Sequence, residues 1–165
     1  MKRRTLASTL TGGALLLPIP CAPLPVRATT VTTTFAVNMT IQATCKISAL
    51  PLAFGTYSGL LLNGSTTISI TCSNTTNYSV GLDPGDGPGA TVANRLMTSG
   101  DATVPYGLFR DAARSLNWGQ TAPTDTVAGV GTGSAQVLTV YGRVTAERVV
   151  TPGTYTDVIT ATVTY

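Results

Sequence analysis

The chain has 165 residues, of which 10% are charged and 43% hydrophobic, and threonine is the most frequent type at 31 copies. It has no histidine and a single glutamate, Glu147, which leaves general acid–base and zinc chemistry without their usual side chains. The formal charge of +3 comes from the first 28 residues; beyond them six basic residues stand against seven acidic ones, so there is no basic stripe for nucleic acid.

Residues 1–28 read as an export signal rather than as fold. Lys2, Arg3 and Arg4 precede an apolar run from Leu6, and Val26-Arg27-Ala28 puts small or apolar residues where a signal peptidase inspects them. The prolines between 18 and 25 break a helix there, and Pro20 before Cys21 does not suit a lipid-attachment box. Cleavage after Ala28 leaves 137 residues, enough for one domain with one core. In an exported chain the remaining cysteines, Cys45 and Cys72, read as one disulfide worth about 3–4 kcal/mol; two free thiols are the alternative.

From residue 31 to 45 apolar side chains recur every second position (Val31, Phe35, Val37, Met39, Ile41, Ala43), the period of a strand with one oily face. Alternation returns at Ile68, Ile70 and Cys72, then at Tyr78, Val80 and Leu82, ending in the turn-rich stretch 83–89. A short run over 91–97 precedes an alternating one over 104–110, where Pro105 marks an edge or a strand start. Residues 121–133, rich in Gly, Thr and Pro, read as a mobile loop. Two long strands, 134–148 and 155–165, close the chain, joined at 151–154 by a turn with Pro and Gly where type II wants them. Asp157 breaks the apolar face of the last strand. No window has helical periodicity, and six or seven strands at this spacing predict an all-β sandwich.

Several separated pieces carry a family resemblance. They are the N-terminal strand running into Cys45; Arg95-Leu96-Met97, then residues 104–114 (VPYGLFRDAAR) and Trp118-Gly119; residues 140–144 (VYGRV); and residues 152–157 (PGTYTD) leading to 161–165 (ATVTY). In this order they resemble the spore coat U domain family, which supplies subunits of archaic (Csu-type) chaperone–usher pili. The resemblance implies an incomplete immunoglobulin-like β-sandwich, residues 44–165, completed by a donated strand. It makes residues 29–43 the donor, with Phe35, Val37, Met39 and Ile41 filling the next subunit's groove. It makes Tyr155, Ile159, Ala161 and Val163 groove wall, beside an earlier strand that the sequence does not identify, and Tyr165 the anchor for a chaperone. Cys45 and Cys72 become the family disulfide. The implied partners are a periplasmic chaperone, an outer-membrane usher and other pilus subunits, with no cofactor, small-molecule substrate or nucleic acid. The implied place is a cell-surface pilus, reached through the periplasm, that supports adhesion and biofilm formation.

Plainer readings stand beside these. By pattern alone the N-terminal strand pairs within its own sandwich, as most terminal strands do. Asp111 and Trp118 read as a turn residue and as packing, and Asp83 with Asp86 lacks the oxygen ligands that calcium needs. No nucleophile–base pairing is present, so an enzyme is not expected. The alternative function is a secreted spore-coat or matrix protein that forms no pilus. A tip adhesin would carry a further binding domain, for which this length leaves no room.

Overall fold

The computed structural model describes residues 25–146 and 149–165; most of the expected export signal lies outside the described residues. Eight strands are found among them: β1 (Cys45–Ala49), β2 (Leu62–Cys72), β3 (Asn77–Leu82), β4 (Arg95–Ser99), β5 (Ala102–Phe109), β6 (Val127–Val130), β7 (Gln136–Val144) and β8 (Ala161–Thr164). They form two antiparallel sheets, one in the order β1-β2-β7-β5-β4 and one in the order β6-β3-β8. The chain is all-β, an incomplete sandwich with its core between the sheets.

The alternation expected over 66–72, 78–82 and 104–108 is what fills that core. Ile68, Ile70 and Cys72 on β2, Tyr78, Val80 and Leu82 on β3, and Val104, Tyr106 and Leu108 on β5 are all buried, and β7 adds Val140 and Val144. Period-two burial lets each strand keep its other face wet. Trp118 is 1% exposed, and its indole N–H donates to the Val80 carbonyl at 2.9 Å, so it packs as expected. Cys45 and Cys72 face each other across the β1–β2 pair and are joined by a disulfide. Pro105 pairs with Leu96 of β4, while the ladder of β5 to β7 begins only at Gly107, so no neighbour on that side needs the missing N–H.

Three expectations are corrected. Residues 121–133 are not simply a loop. β6 lies within them and pairs with β3 from Asn77↔Val130 to Val80↔Val127, and the sequence Val-Ala-Gly-Val is too short to show a period. The two closing strands are not a hairpin. β7 lies in the five-stranded sheet and β8 in the three-stranded one, and Gly153 lacks the positive φ that a type II turn requires. The last strand is also shorter than 155–165. Its ladder stops at Leu82↔Ala161, because β3 ends at Leu82 and the chain there turns away at Asp83.

Residues 25–39 and residues 40–165 belong to separate compact units. No residue from 25 to 44 lies in a strand, so of the alternating run 31–45 only Cys45 enters the sheets. Phe35, Val37, Met39 and Ile41 are 80–86% exposed.

Within the larger unit, two glycines shape one end of the core. Gly64 and Gly142 are register partners on the inner faces of β2 and β7. A Cβ on Gly142 would stand 2.7 Å from both Leu52 Cδ2 and Phe54 Cζ, and one on Gly64 would stand 3.0 Å from Leu52 Cδ1. The bare backbone is the seat on which residues 52–54 rest. Gly142→Leu is expected to expel Leu52 and Phe54 and to lower unfolding free energy by about 1–3 kcal/mol in urea titration. Replacing exposed Ser65 by Ala is expected to change it by less than about 0.5 kcal/mol.

Candidate assembly groove

Between the two sheets the core is open along one side. A cavity of about 400 Å³ is lined by Leu50, Leu52 and Phe54 from the segment after β1 and by Tyr155, Ile159 and Ala161 from the segment entering β8. Its floor is Ile68, Leu82, Tyr106, Leu108 and Val140. A second space of about 590 Å³ is lined by residues 52–57 and 150–155 over Val104 and Val144. The two share Leu52, Phe54, Met97 and Tyr155, so they are parts of one trough.

Apart from Ala161, which opens β8, its walls come from segments that lie outside the strand ladders, 50–57 and 150–160. The first is the wall that the sequence left unidentified. It is fixed by Leu52 and Phe54 on the glycine seat, by the edge-on contact of Phe54 with Tyr106 at 6.0 Å, and by the Tyr57 hydroxyl, which donates to the Thr145 carbonyl at 2.8 Å. The second crosses from one sheet to the other. Thr156 exchanges two backbone hydrogen bonds with Thr98 of β4, and from Ala161 the chain pairs with β3.

Of the residues expected at the groove, Tyr155, Ile159 and Ala161 line it. Val163 is paired with Val80 and packs against the core, and Tyr165 is exposed; neither lines the trough. Thus the structure brings together three of the four residues expected as groove wall. Phe35, Val37 and Met39 lie in the other unit.

Two polar features of the trough's surroundings were not anticipated. Arg95 is fully buried. Its guanidinium donates to the carbonyls of Asp83, Val92, Leu82 and Trp118 at 2.7–3.0 Å, and burial pulls its pKa below the usual value. The planar fork of arginine serves several carbonyls at once, which lysine cannot do. The second is Asp157, the misfit of the last apolar face. Its Oδ2 accepts the Tyr106 hydroxyl at 2.6 Å, and its Oδ1 accepts the N–H groups of Asp86 and Val158 at 2.9 Å. The only sequence signal was a carboxylate out of pattern. Asp111 acts in its expected turn role, accepting the N–H groups of Ser115 and Leu116. Those hydrogen bonds, the one from Leu116 foremost, hold its carboxyl below the usual carboxylate range.

The spore coat protein U domain model matches residues 31–162, and the chain belongs to that family. It is similar to Protein U of Myxococcus xanthus, 28% identical over 180 aligned positions covering 98% of each chain. Its fold is similar to a chain in the crystal structure of the CsuC–CsuE chaperone–tip adhesion subunit pre-assembly complex from archaic chaperone-usher Csu pili of Acinetobacter baumannii, with a TM-score of 0.59 and 23% identity. That match covers 76% of this chain and 40% of the solved chain.

Burial, and then the hydrogen bond to Asp157, raises the Tyr106 pKa far above the ordinary tyrosine value of about 10. A pKa raised in the folded state contributes stability that is complete below the unfolded value and is lost as pH rises beyond it. Stability is therefore expected to fall above about pH 10, by up to about 1.4 kcal/mol per pH unit, and Tyr106→Phe should remove that part of the slope in chemical unfolding at pH 9–11.

Proposed function

We propose that this protein is a structural subunit of a surface pilus, polymerised by donor-strand exchange after export to the periplasm. The observation that carries the reading is the trough, an apolar core left open between segments 50–57 and 150–160. A monomer leaves apolar wall residues such as Leu50 and Val158 wet, and apolar area of this kind marks a site of association. The same chain carries an exposed segment whose apolar side chains alternate, Phe35, Val37, Met39 and Ile41. Two-residue spacing presents side chains every ~6.7 Å along a strand, and burying four of them is worth about 6–12 kcal/mol before the entropy of ordering. Residues 29–43 of one copy are the donor and the trough of the next copy is the acceptor. Tyr155, Ile159 and Ala161 receive it, Val163 backs it, and Tyr165 is the chaperone's handle.

The fold likeness to a chain of a chaperone–subunit complex supports the partners in this reading. They are a periplasmic chaperone that lends a strand, an outer-membrane usher and further subunits, and the product is a cell-surface fibre serving adhesion and biofilm formation. The role is structural rather than enzymatic. A second reading, a secreted coat protein, is supported by the family's description as a spore coat protein U domain.

Met39→Asp or Val37→Asp is expected to leave export intact and to abolish polymerisation, since a carboxylate enters an apolar groove only at a cost of several kcal/mol. The readout is SDS–PAGE of surface fractions, unheated and boiled. Wild type should give a heat-sensitive ladder that either substitution, or deletion of residues 29–43, removes. A heat-stable wild-type monomer would instead favour the coat reading.

A further inference from the structure

The trough carries one charge. Among the described residues that line its two parts, Asp157 is the only ionised one. Its Oδ1 accepts the N–H groups of Asp86 and Val158, whereas its Oδ2 accepts the hydroxyl of Tyr106, a floor residue, at 2.6 Å. A carboxylate offers about four acceptor sites, so Oδ2 has room for a second hydrogen bond. The alternating segment has one matching exception. Its odd-numbered residues from Val31 to Ala43 are all apolar except Thr33. Thr33 is exposed and lies in the unit apart from the sandwich.

We propose that Thr33 of the donor seats on the Asp157–Tyr106 pair of the acceptor and thereby sets the register of donation. The inference rests on the donor-strand reading above. A strand laid in the trough takes water from the Asp157 carboxylate, which is strongly unfavourable unless a hydrogen-bond donor replaces that water. On the inward row from Val31 to Ala43 only Thr33 has a side-chain hydrogen to give. A slip of two residues puts Val31 or Phe35 on the carboxylate instead, and a slip of one turns the apolar row outward. The same register picks a direction. Side chains on one face repeat every ~6.7 Å. With Thr33 at Asp157, a donor antiparallel to the wall lays Phe35, Val37 and Met39 along residues 150–155, over Val104 and Val144 in the larger part of the trough. The parallel course carries Met39 past Ala161 to Val163, which is paired with Val80 and does not line the trough. Thr33 is thus a specificity residue of the donor, read by the one charge in the acceptor.

The test is the rate at which the ladder of surface fractions falls apart in SDS at a fixed raised temperature. Thr33 is outside the sandwich, so replacing it leaves the acceptor unaltered. Thr33→Val keeps the shape and removes the hydroxyl. It should speed dissociation about tenfold, because hydrogen bonds to charged groups are among the stronger ones, and Thr33→Ser should stay within about twofold of wild type. With Asp157→Asn in the same chain, the effect of Thr33→Val should shrink below about threefold. The sign separates the alternatives, since valine against an apolar stretch of groove would slow dissociation and valine facing water would leave it unchanged. A Thr33→Val ladder as durable as that of wild type, or more so, overturns the register while the donor-strand reading stands. A tenfold effect that persists beside Asp157→Asn overturns the seat on Asp157. A wild-type chain that gives no ladder overturns both readings.

Discussion

A sandwich of five strands against three leaves apolar surface that the smaller sheet cannot reach. The inner faces of β2, β5 and β7 present Ile68, Leu108 and Val140, and these residues floor the open trough rather than lying under a third layer. That open-sided core, whose floor is buried but whose wall residues Leu50 and Val158 are exposed, is the constraint on which the rest of the structure depends. Apolar wall residues open to water favour association, and the segments that carry them lack strand pairing.

How such segments hold their place explains the unusual polar interior. In a sheet, position is fixed by ladders of backbone hydrogen bonds, each modest but repeated. Segments 50–57 and 150–160 lack that repetition, and isolated contacts replace it. Leu52 and Phe54 sit on glycine backbone and Asp157 joins wall, floor and turn, while Arg95 gathers four carbonyls beneath them, from the end of β3, the turn behind it, the stretch before β4 and the Trp118 loop. A buried guanidinium is costly to desolvate, and its carbonyl partners would be orphaned without it. The arrangement therefore fixes one geometry rather than adding much net stability.

The sequence made the strands legible wherever one face was buried and the other wet. β2, β3 and β5 were visible as alternation because each has a core on a single side. β6 was hidden because Val127–Val130 is four residues long and contains a glycine. The assignment of β7 and β8 to different sheets was hidden as well, since alternation reports a face and not a partner. At the site, Tyr155, Ile159 and Ala161 were readable as apolar positions of the last strand. The opposing wall was not, because Leu52 and Phe54 are placed by the absence of side chains at Gly64 and Gly142, far along the chain. Asp157 broke the pattern visibly and Arg95 did not, and only three-dimensional placement shows what either one holds.

The geometry of donation has a consequence for the assembly. If residues 29–43 enter the trough of another copy, the two contacting surfaces are different parts of the chain, so the contact is head-to-tail. Such a contact generates a ring only when its rotation happens to close, and otherwise an open filament. A self-complementary dimer would need one patch facing itself, and neither the trough nor the alternating segment has that character. A trough of this kind without a donor is an interior short of one strand, whereas a trough with one is a complete sandwich whose own donor segment is still free. Each addition thus recreates the acceptor–donor imbalance at the growing end, which is the physical requirement for a fibre rather than a closed oligomer.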